Sequence, residues 1–131
     1  MKIPFYKYNG TGNDFIIIDN RSLIFDSRNC NLVSLLCHRK FGIGADGLLL
    51  LQNKRGYAFE MVYYNSDGSK NAFCGNGSRC MVAFAKKIGI LKTNKINFFA
   101  IDGNHEAKIK GNIIGVKMND VNNVEVHTKH F

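Results

Sequence analysis

The chain has 131 residues, of which 45% are hydrophobic and 21% charged, a balance that supports one packed domain and excludes a disordered chain. Its formal charge is +8, but the Lys and Arg residues are scattered along the whole chain, so we expect a solvated basic surface and no nucleic-acid site. The longest apolar runs, residues 15–18 and 48–51, are far shorter than a membrane span. We therefore expect a cytoplasmic protein with no membrane contact.

Alternating or continuous apolar runs bounded by turn-forming residues predict that short strands dominate the chain. Asn-Gly and Asp-Gly steps between these runs are typical of tight turns. The predicted strands are residues 5–8, 15–19, 48–51, 59–64, 96–101, 107–110 and 113–118. Between the first two strands, the turn-forming segment 9–14 is predicted to be a loop.

Two segments have helical periodicity. The first helix is predicted over residues 31–40, where leucines at i, i+3 and i+4 form an apolar stripe, and Gly42 is expected to end it. The second is predicted over residues 76–87, with Gly89 as its C-terminal glycine. Short strands, hairpin turns and two helices indicate the α+β class and not a parallel α/β fold.

The four cysteines are Cys30, Cys37, Cys74 and Cys80. In a cytosolic chain we expect free thiols, not disulfides. Their spacing contains no Cys-x-x-Cys step and no nearby His pair, so we expect no metal site. All but Cys74 are interpreted as structural.

Cys74 directly precedes Gly75-Asn76-Gly77 at the start of the second predicted helix. Free N–H groups and the positive dipole end of a helix favour an anion, so a thiol pKa there can fall from about 8.5 to roughly 3.5–7.5. The glycines let backbone N–H groups approach a ligand, so a substrate carboxylate could lie beside the sulfur. A base next to such a site suits proton abstraction. The alternative is a buried cysteine whose glycines only form a turn.

Three further polar segments, residues 10–14, 42–47 and 65–68, lie at the ends of predicted strands. An asparagine amide both donates and accepts hydrogen bonds, which suits an amino-acid substrate with ammonium and carboxylate groups. Each segment taken alone is equally consistent with a simple turn.

Taken together and in this order, four segments resemble the signature motifs of the diaminopimelate epimerase family. They are Gly10-Thr11-Gly12-Asn13-Asp14-Phe15, Arg39-Lys40-Phe41-Gly42-Ile43-Gly44-Ala45-Asp46-Gly47, Asn65-Ser66-Asp67-Gly68-Ser69 and Phe73-Cys74-Gly75-Asn76-Gly77-Ser78-Arg79-Cys80. The resemblance runs from about Met1 to Met118.

The resemblance implies a cofactor-independent enzyme, without pyridoxal phosphate or metal, that interconverts LL- and meso-diaminopimelate in the bacterial pathway to lysine and peptidoglycan. It implies one lobe of a two-lobe fold, with a curved, mostly antiparallel sheet around a central helix. Cys74 corresponds to one of two catalytic cysteines. Asn13 and Asn65 correspond to substrate-binding residues, and Gly75 and Asn76 to the backbone that binds the substrate carboxylate.

Three positions refine this resemblance. Proline racemases and hydroxyproline epimerases carry a His where this chain has Asn76, so Asn76 favours diaminopimelate, and a proline or hydroxyproline racemase is the alternative. Some family members carry a Gln at the position of Gly47, so no substrate contact is assigned there. Arg79 fits the motif, but no catalytic role is assigned to it.

Residues 1–131 match only the first lobe of the family, and the second catalytic cysteine has no counterpart in the sequence. We therefore expect an N-terminal fragment, truncated or encoded by a split gene, that is inactive alone. Its expected partners are the second lobe or a complementary chain, and an exposed apolar inter-lobe face could support a homodimer. A basic nucleic-acid-binding module is the remaining alternative, although it leaves the Cys74 segment unexplained.

Overall fold

The computed structural model describes residues 2–70 and 75–117, which form one seven-stranded sheet and two helices. In chain order the elements are β1 (Tyr6–Gly10), β2 (Asn13–Asp19), α1 (Cys30–Cys37), β3 (Gly47–Gln52), β4 (Glu60–Asn65), α2 (Gly75–Lys87), β5 (Lys95–Ala100), β6 (Gly103–Lys110) and β7 (Ile113–Val116).

The strands lie in the sheet in the same order as in the sequence. Neighbouring strands are antiparallel except for the pairs β2–β3 and β4–β5, which are parallel. A parallel pair needs a long crossover connection, and the two crossovers here carry α1 and α2. The predicted α+β class with a mostly antiparallel sheet is confirmed.

The sheet curls around α2. This helix contacts both edge strands, β1 and β7. In a flat sheet of seven strands the two edges would be about 29 Å apart, whereas a helix is only about 10 Å across. One helix can therefore reach both edges only if the sheet closes around it, as the resemblance implied.

Two apolar cores lie on opposite faces of β2 and β3. Phe15 and Ile17 of β2 belong to the core around α2, whereas Ile16 and Ile18 belong to the core under α1. This alternation follows from the two-residue repeat of a strand. Because both faces are covered, these strands contain the continuous apolar runs that predicted them.

β4 and β5 are joined more weakly than any other neighbouring strands. Their ladder contains one register pair, Glu60 with Phe99, whereas β3 and β4 share six. Just before that pair, Phe99 N–H donates to Phe59 O at 3.0 Å and Ala58 N–H donates to Asn97 O at 2.9 Å. The sheet thus consists of two well-paired parts, β1–β4 and β5–β7, that meet at a narrow joint.

The first helix differs from its prediction. It begins after Asn29, whose side chain accepts from Leu32 N–H at 3.1 Å, and it ends at Cys37, three residues early. The leucine stripe is only partly buried, since Leu32 and Leu36 pack against the core whereas Leu35 is 54% exposed. The fully buried positions of the helix are Val33 and Cys37.

Gly42 does not end α1 but packs against its C-terminal end. Its N–H donates to His38 O at 2.9 Å, and the next residue, Ile43, donates to Leu36 O at 2.8 Å. A Cβ at Gly42 would overlap the carbonyl oxygens of Leu35 and Leu36. Close backbone approach is therefore the reason for glycine here.

The predicted loop at 9–14 is a two-residue turn. β1 continues to Gly10, which pairs with Asn13 of β2, so only Thr11 and Gly12 lie between the strands. Both have positive φ, 47° and 90°, as in the type I′ turns that connect tight hairpins. Most of the motif formed by residues 10–15 therefore lies in strands β1 and β2.

The end of α2 agrees with its prediction. Gly89 has φ 82° and donates to Lys86 O at 3.1 Å, and Ile90 N–H donates to Ala85 O at 3.2 Å. These two bonds form a Schellman motif.

The last two strands differ from their predicted bounds. β6 begins at Gly103, four residues before its predicted start. The predicted last residue of β7, Met118, lies outside the described residues.

Replacing Phe84 with Ala should strongly destabilise the folded chain. Phe84 is 0% exposed, and its ring centroid lies 4.9 Å from that of Tyr6 and 6.0 Å from that of Tyr8. Removing a buried Phe side chain costs about 3–5 kcal/mol of unfolding free energy. Urea denaturation monitored by circular dichroism would measure the loss, with exposed Lys87→Ala on the same helix as the control. Equal midpoints for the two variants would contradict the central role of α2.

Candidate active site

The start of β2, the start of β3 and the end of β4 lie at one end of the sheet. Gly47 of β3 pairs with Phe15 of β2 on one side and with Asn65 of β4 on the other. Asn13 opens β2 at the same end. We call this end of the sheet the rim. It brings together the predicted substrate residues Asn13 and Asn65, although 52 positions separate them in the sequence.

The first turn of α2 reaches this rim. Asn76 Nδ2 donates to Asn13 Oδ1 at 2.9 Å, which joins residues 63 positions apart. Gly75 is the first residue of the helix, so Gly75 and Asn76 lie where N–H groups have no partner within the helix. Cys74 directly precedes Gly75 but lies outside the described residues, so its role remains a prediction.

Four side chains form a line joined by hydrogen bonds, in the order Arg79, Asn76, Asn13 and Asp46. Arg79, three residues along α2, donates from Nη2 to Asn76 Oδ1. Asn13 Nδ2 in turn donates to Asp46 Oδ2 at 3.3 Å, just before β3. Side chains from three of the four motifs are thereby connected. Arg79 and Asp46 are the two functional candidates that sequence reasoning missed.

Asp46 belongs to a charged cluster with Asp14, Arg39 and Lys7. Arg39 donates to Asp14 at 3.0 and 2.9 Å and to Asp46 at 3.0 Å, and Lys7 donates to Asp14 at 2.9 Å. The two aspartates also accept each other's backbone N–H at 3.0 Å. The cluster therefore fixes the start of β2 against the start of β3.

The hydrogen bonds from Arg39 hold the pKa of Asp14 far below its usual value. Burial acts in the opposite direction, and Lys7 lowers the pKa further. The charged form of Asp14 is therefore favoured, and the two cations offset the repulsion between neighbouring carboxylates.

Two glycines at the rim allow close approach of backbone segments. A Cβ on Gly10 would lie 3.0 Å from Cys80 Sγ and 3.2 Å from Asn76 O, so β1 lies directly against the first turns of α2. Cys80 is 4% exposed, which confirms its predicted place in the core. At Gly47 a Cβ would lie 2.8 Å from Tyr64 O and 2.9 Å from Tyr63 Cε1. A larger residue at position 47 would require the neighbouring strand to shift.

Asn65 holds a turn in this structure. Its Nδ2 donates to Ser69 Oγ at 3.1 Å, and its backbone N–H donates to Ser69 O at 2.9 Å. Gly68 completes the turn with φ 89°. Asn65 therefore has a structural role at the rim, and its substrate-binding role stays a prediction.

Within residues 2–70 and 75–117, no three His, Cys, Asp or Glu side chains are grouped as metal ligands would be. Over the same residues, no helix has the length and apolar character needed to cross a membrane.

Several solved structures share this architecture. A phenazine biosynthesis protein of Bacillus anthracis matches 86% of this chain and 38% of its own with a TM-score of 0.67 and 16% identity. A probable proline racemase of Agrobacterium radiobacter matches 89% of this chain and 42% of its own with a TM-score of 0.65 and 14% identity. These likenesses define the fold class, which is that of the matched parts of these two proteins.

Sequence comparison narrows this class to one family. The family model for diaminopimelate epimerase matches residues 5–124. The chain is 57% identical over 126 residues to the diaminopimelate epimerase of Flavobacterium psychrophilum, covering 95% of this chain and 49% of that protein. The chain belongs to the diaminopimelate epimerase family. It spans about half the length of this relative.

Asp14→Asn should lower stability at neutral pH and have less effect in acid. Because the folded pKa of Asp14 is depressed, its contribution is complete above the unfolded value of about 3.9 and is lost as pH falls below it. Thermal unfolding of wild type and variant at pH 7, 5 and 3 should show a melting-temperature gap that narrows towards pH 3. Asp26→Asn is the control, since Asp26 is 53% exposed and pairs with its neighbour Arg28. A gap that stays constant with pH would contradict this assignment.

Proposed function

We propose that this chain forms one half of the active site of an epimerase that interconverts LL- and meso-diaminopimelate without a cofactor. The observation that carries the proposal is the hydrogen bond from Asn76 to Asn13 at the N-terminus of α2, directly after Cys74. It joins two predicted substrate-binding residues beside the predicted base. Membership of the diaminopimelate epimerase family supports the substrate.

In the proposed reaction, Cys74 acts as a thiolate on one face of the substrate. Its sulfur takes the α-proton, so the Cα–H bond breaks, an S–H bond forms, and the electron pair spreads into the α-carboxylate. An acid on the opposite face then delivers a proton to the same carbon. The configuration inverts with no net oxidation or reduction.

The N-terminus of α2 would stabilise the charge that develops on the carboxylate. Backbone N–H groups at Gly75 and Asn76 lie in the first turn of the helix, where the dipole favours an anion. Donors held in place before the reaction stabilise the developing charge at no reorganisation cost. The amides of Asn13 and Asn65 are proposed to bind the substrate from the sheet side.

The second acid is proposed to come from a second lobe. A two-base epimerisation needs groups on both faces of the carbon, and the Flavobacterium psychrophilum relative is about twice as long as this chain. By itself, the chain is expected to bind diaminopimelate weakly and to turn it over poorly. Assays of activity therefore use this chain joined to the second half of that relative.

A racemase acting on proline or hydroxyproline is the competing assignment. Asn76 disfavours it, since its amide is held between Arg79 and Asn13 at the place where a proline-specific relative would carry His. Incubating the joined protein with LL-diaminopimelate, L-proline or trans-4-hydroxy-L-proline, followed by chiral chromatography, separates the assignments. Turnover of proline with unchanged diaminopimelate would overturn the proposal.

Replacing Cys74 with Ala should reduce epimerisation of LL-diaminopimelate by about 10²–10⁴-fold, the range expected for loss of a general base. Cys30→Ala is the matched control, because Cys30 is a half-buried thiol in α1, on the other face of the sheet. Its rate should equal that of wild type. Activity in the joined protein that survives Cys74→Ala would remove Cys74 from the mechanism.

Thiol alkylation gives an independent test on the 131-residue chain alone. Cys37 is only 2% exposed and burial raises its pKa to about 11, so it is the slow reference thiol at pH 8. Iodoacetamide at pH 8, followed by peptide mapping by mass spectrometry, should label Cys74 at least tenfold faster than Cys37. Equal labelling of the native chain would argue against an activated thiolate at Cys74.

A further inference from the structure

An asparagine amide fits its site in two orientations that are nearly equal in shape but opposite in hydrogen bonding. If the amide of Asn13 could flip, it would present an oxygen where a substrate group requires an N–H, and it would lose its hydrogen bond with the amide of Asn76. A site built from these two residues, as the proposed function requires, therefore needs something that fixes both amides.

The two ends of the hydrogen-bond line supply that constraint. Arg79 has a guanidinium that can only donate, so Asn76 must face it with Oδ1, as it does. Asn76 Nδ2 then faces Asn13, which must accept through its own Oδ1, at 2.9 Å. Asn13 Nδ2 is thereby left to face the carboxylate of Asp46, which can only accept.

Reversing the amides would be unfavourable at both ends. A flipped Asn76 would oppose its Nδ2 to the donors of Arg79, and a flipped Asn13 would oppose its Oδ1 to the carboxylate of Asp46. Flipping only one would also oppose like groups between Asn13 and Asn76. One arrangement of the four satisfies all three contacts.

Both ends of the line are themselves held in place. Asp46 accepts from Asp14 N–H at 3.0 Å and from Arg39 at 3.0 Å, so its carboxylate cannot turn away freely. Arg79 lies on α2 one turn after Asn76, where residues three apart are neighbours on the helix surface. The orientation is thus imposed by the fold and does not depend on a bound ligand.

We propose that Arg79 and Asp46 are positioning residues that set the amide orientation of Asn76 and Asn13. The amide of Asn13, which the proposed function places against the substrate, is then held in one orientation. This inference rests on the proposed function for its consequence in binding, but the orientation itself can be tested without substrate.

The test uses the side-chain amide signals of the full chain in ¹⁵N–¹H NMR spectra, assigned with Asn13→Asp and Asn76→Asp. Arg79→Met removes the donor while keeping an unbranched side chain. It should shift the amide signals of Asn13 as well as those of Asn76, although Arg79 contacts only Asn76 of the two. Asp46→Asn should likewise shift the signals of Asn76 through Asn13. Arg79→Lys, which retains a donor, should restore most of the wild-type spectrum.

Matched controls separate this effect from general destabilisation. Arg21→Met and Asp26→Asn each break an ion pair away from the rim, with Asp19 and Arg28 respectively, and should leave both amide signals unchanged. Circular dichroism checks that each variant is folded. If Arg79→Met is folded and shifts Asn76 alone, the line does not transmit orientation and the proposal is wrong. If Arg79→Met does not fold, Asp46→Asn decides instead, because it changes the other end of the line. The proposal is then wrong if folded Asp46→Asn shifts the signals of Asn13 alone.

Kinetics of the joined protein with LL-diaminopimelate test the consequence for binding. One hydrogen bond misdirected corresponds to about a 3- to 10-fold weaker interaction, so KM should rise by that factor in Arg79→Met while kcat changes less than threefold. Arg79→Lys should recover most of the KM. An unchanged KM would overturn the positioning role. If the joined protein with the wild-type sequence does not turn over LL-diaminopimelate at all, the proposed function fails. The NMR spectra of the chain alone still decide whether Arg79 and Asp46 set the amide orientation.

Discussion

Burial of α2 inside the curl of the sheet is the interaction on which the rest of this lobe depends. Met81, Val82, Phe84 and Ala85 are all 0% exposed, and the core around them draws residues from six of the seven strands. Removal of apolar surface from water is the main favourable term in folding, and here it acts along the buried face of one helix. Because that face packs against strands from both edges of the sheet, the helix holds its N-terminus in place at the rim.

The polar site is an extension of that packing. Gly10 lets β1 lie against the first turns of α2, and the two-residue turn that follows delivers Asn13 directly to Asn76. The charged cluster then ties the same strand end to β3 through Asp14 and Asp46. The apolar core and the polar rim thus meet at the start of one helix. Oriented backbone dipoles and fixed amides interact most strongly with a charge at such a place, because water is partly excluded.

Sequence reasoning succeeded where local pattern and tertiary environment agree. β2 and β3 are continuous apolar runs because both of their faces are covered, and Gly89 ends α2 because its φ is positive. It placed α1 correctly but not its end, and packing on the sheet buries Val33 and Cys37 more deeply than the leucines. In the site, the contact of Arg79 with Asn76 follows a helical spacing and could have been found. The contacts of Asn13 with Asp46 and Asn76 could not, because they span 33 and 63 residues and depend on strand register.

The narrow joint between β4 and β5 determines where the sheet bends most easily. Everywhere else the curl is stiffened by ladders of at least four register pairs, but here a single pair connects the two parts of the sheet. Bending at this line disturbs fewer backbone hydrogen bonds than bending between any other two neighbouring strands. The joint is therefore the place where the curl of the sheet can open or tighten at the lowest cost in strand pairing.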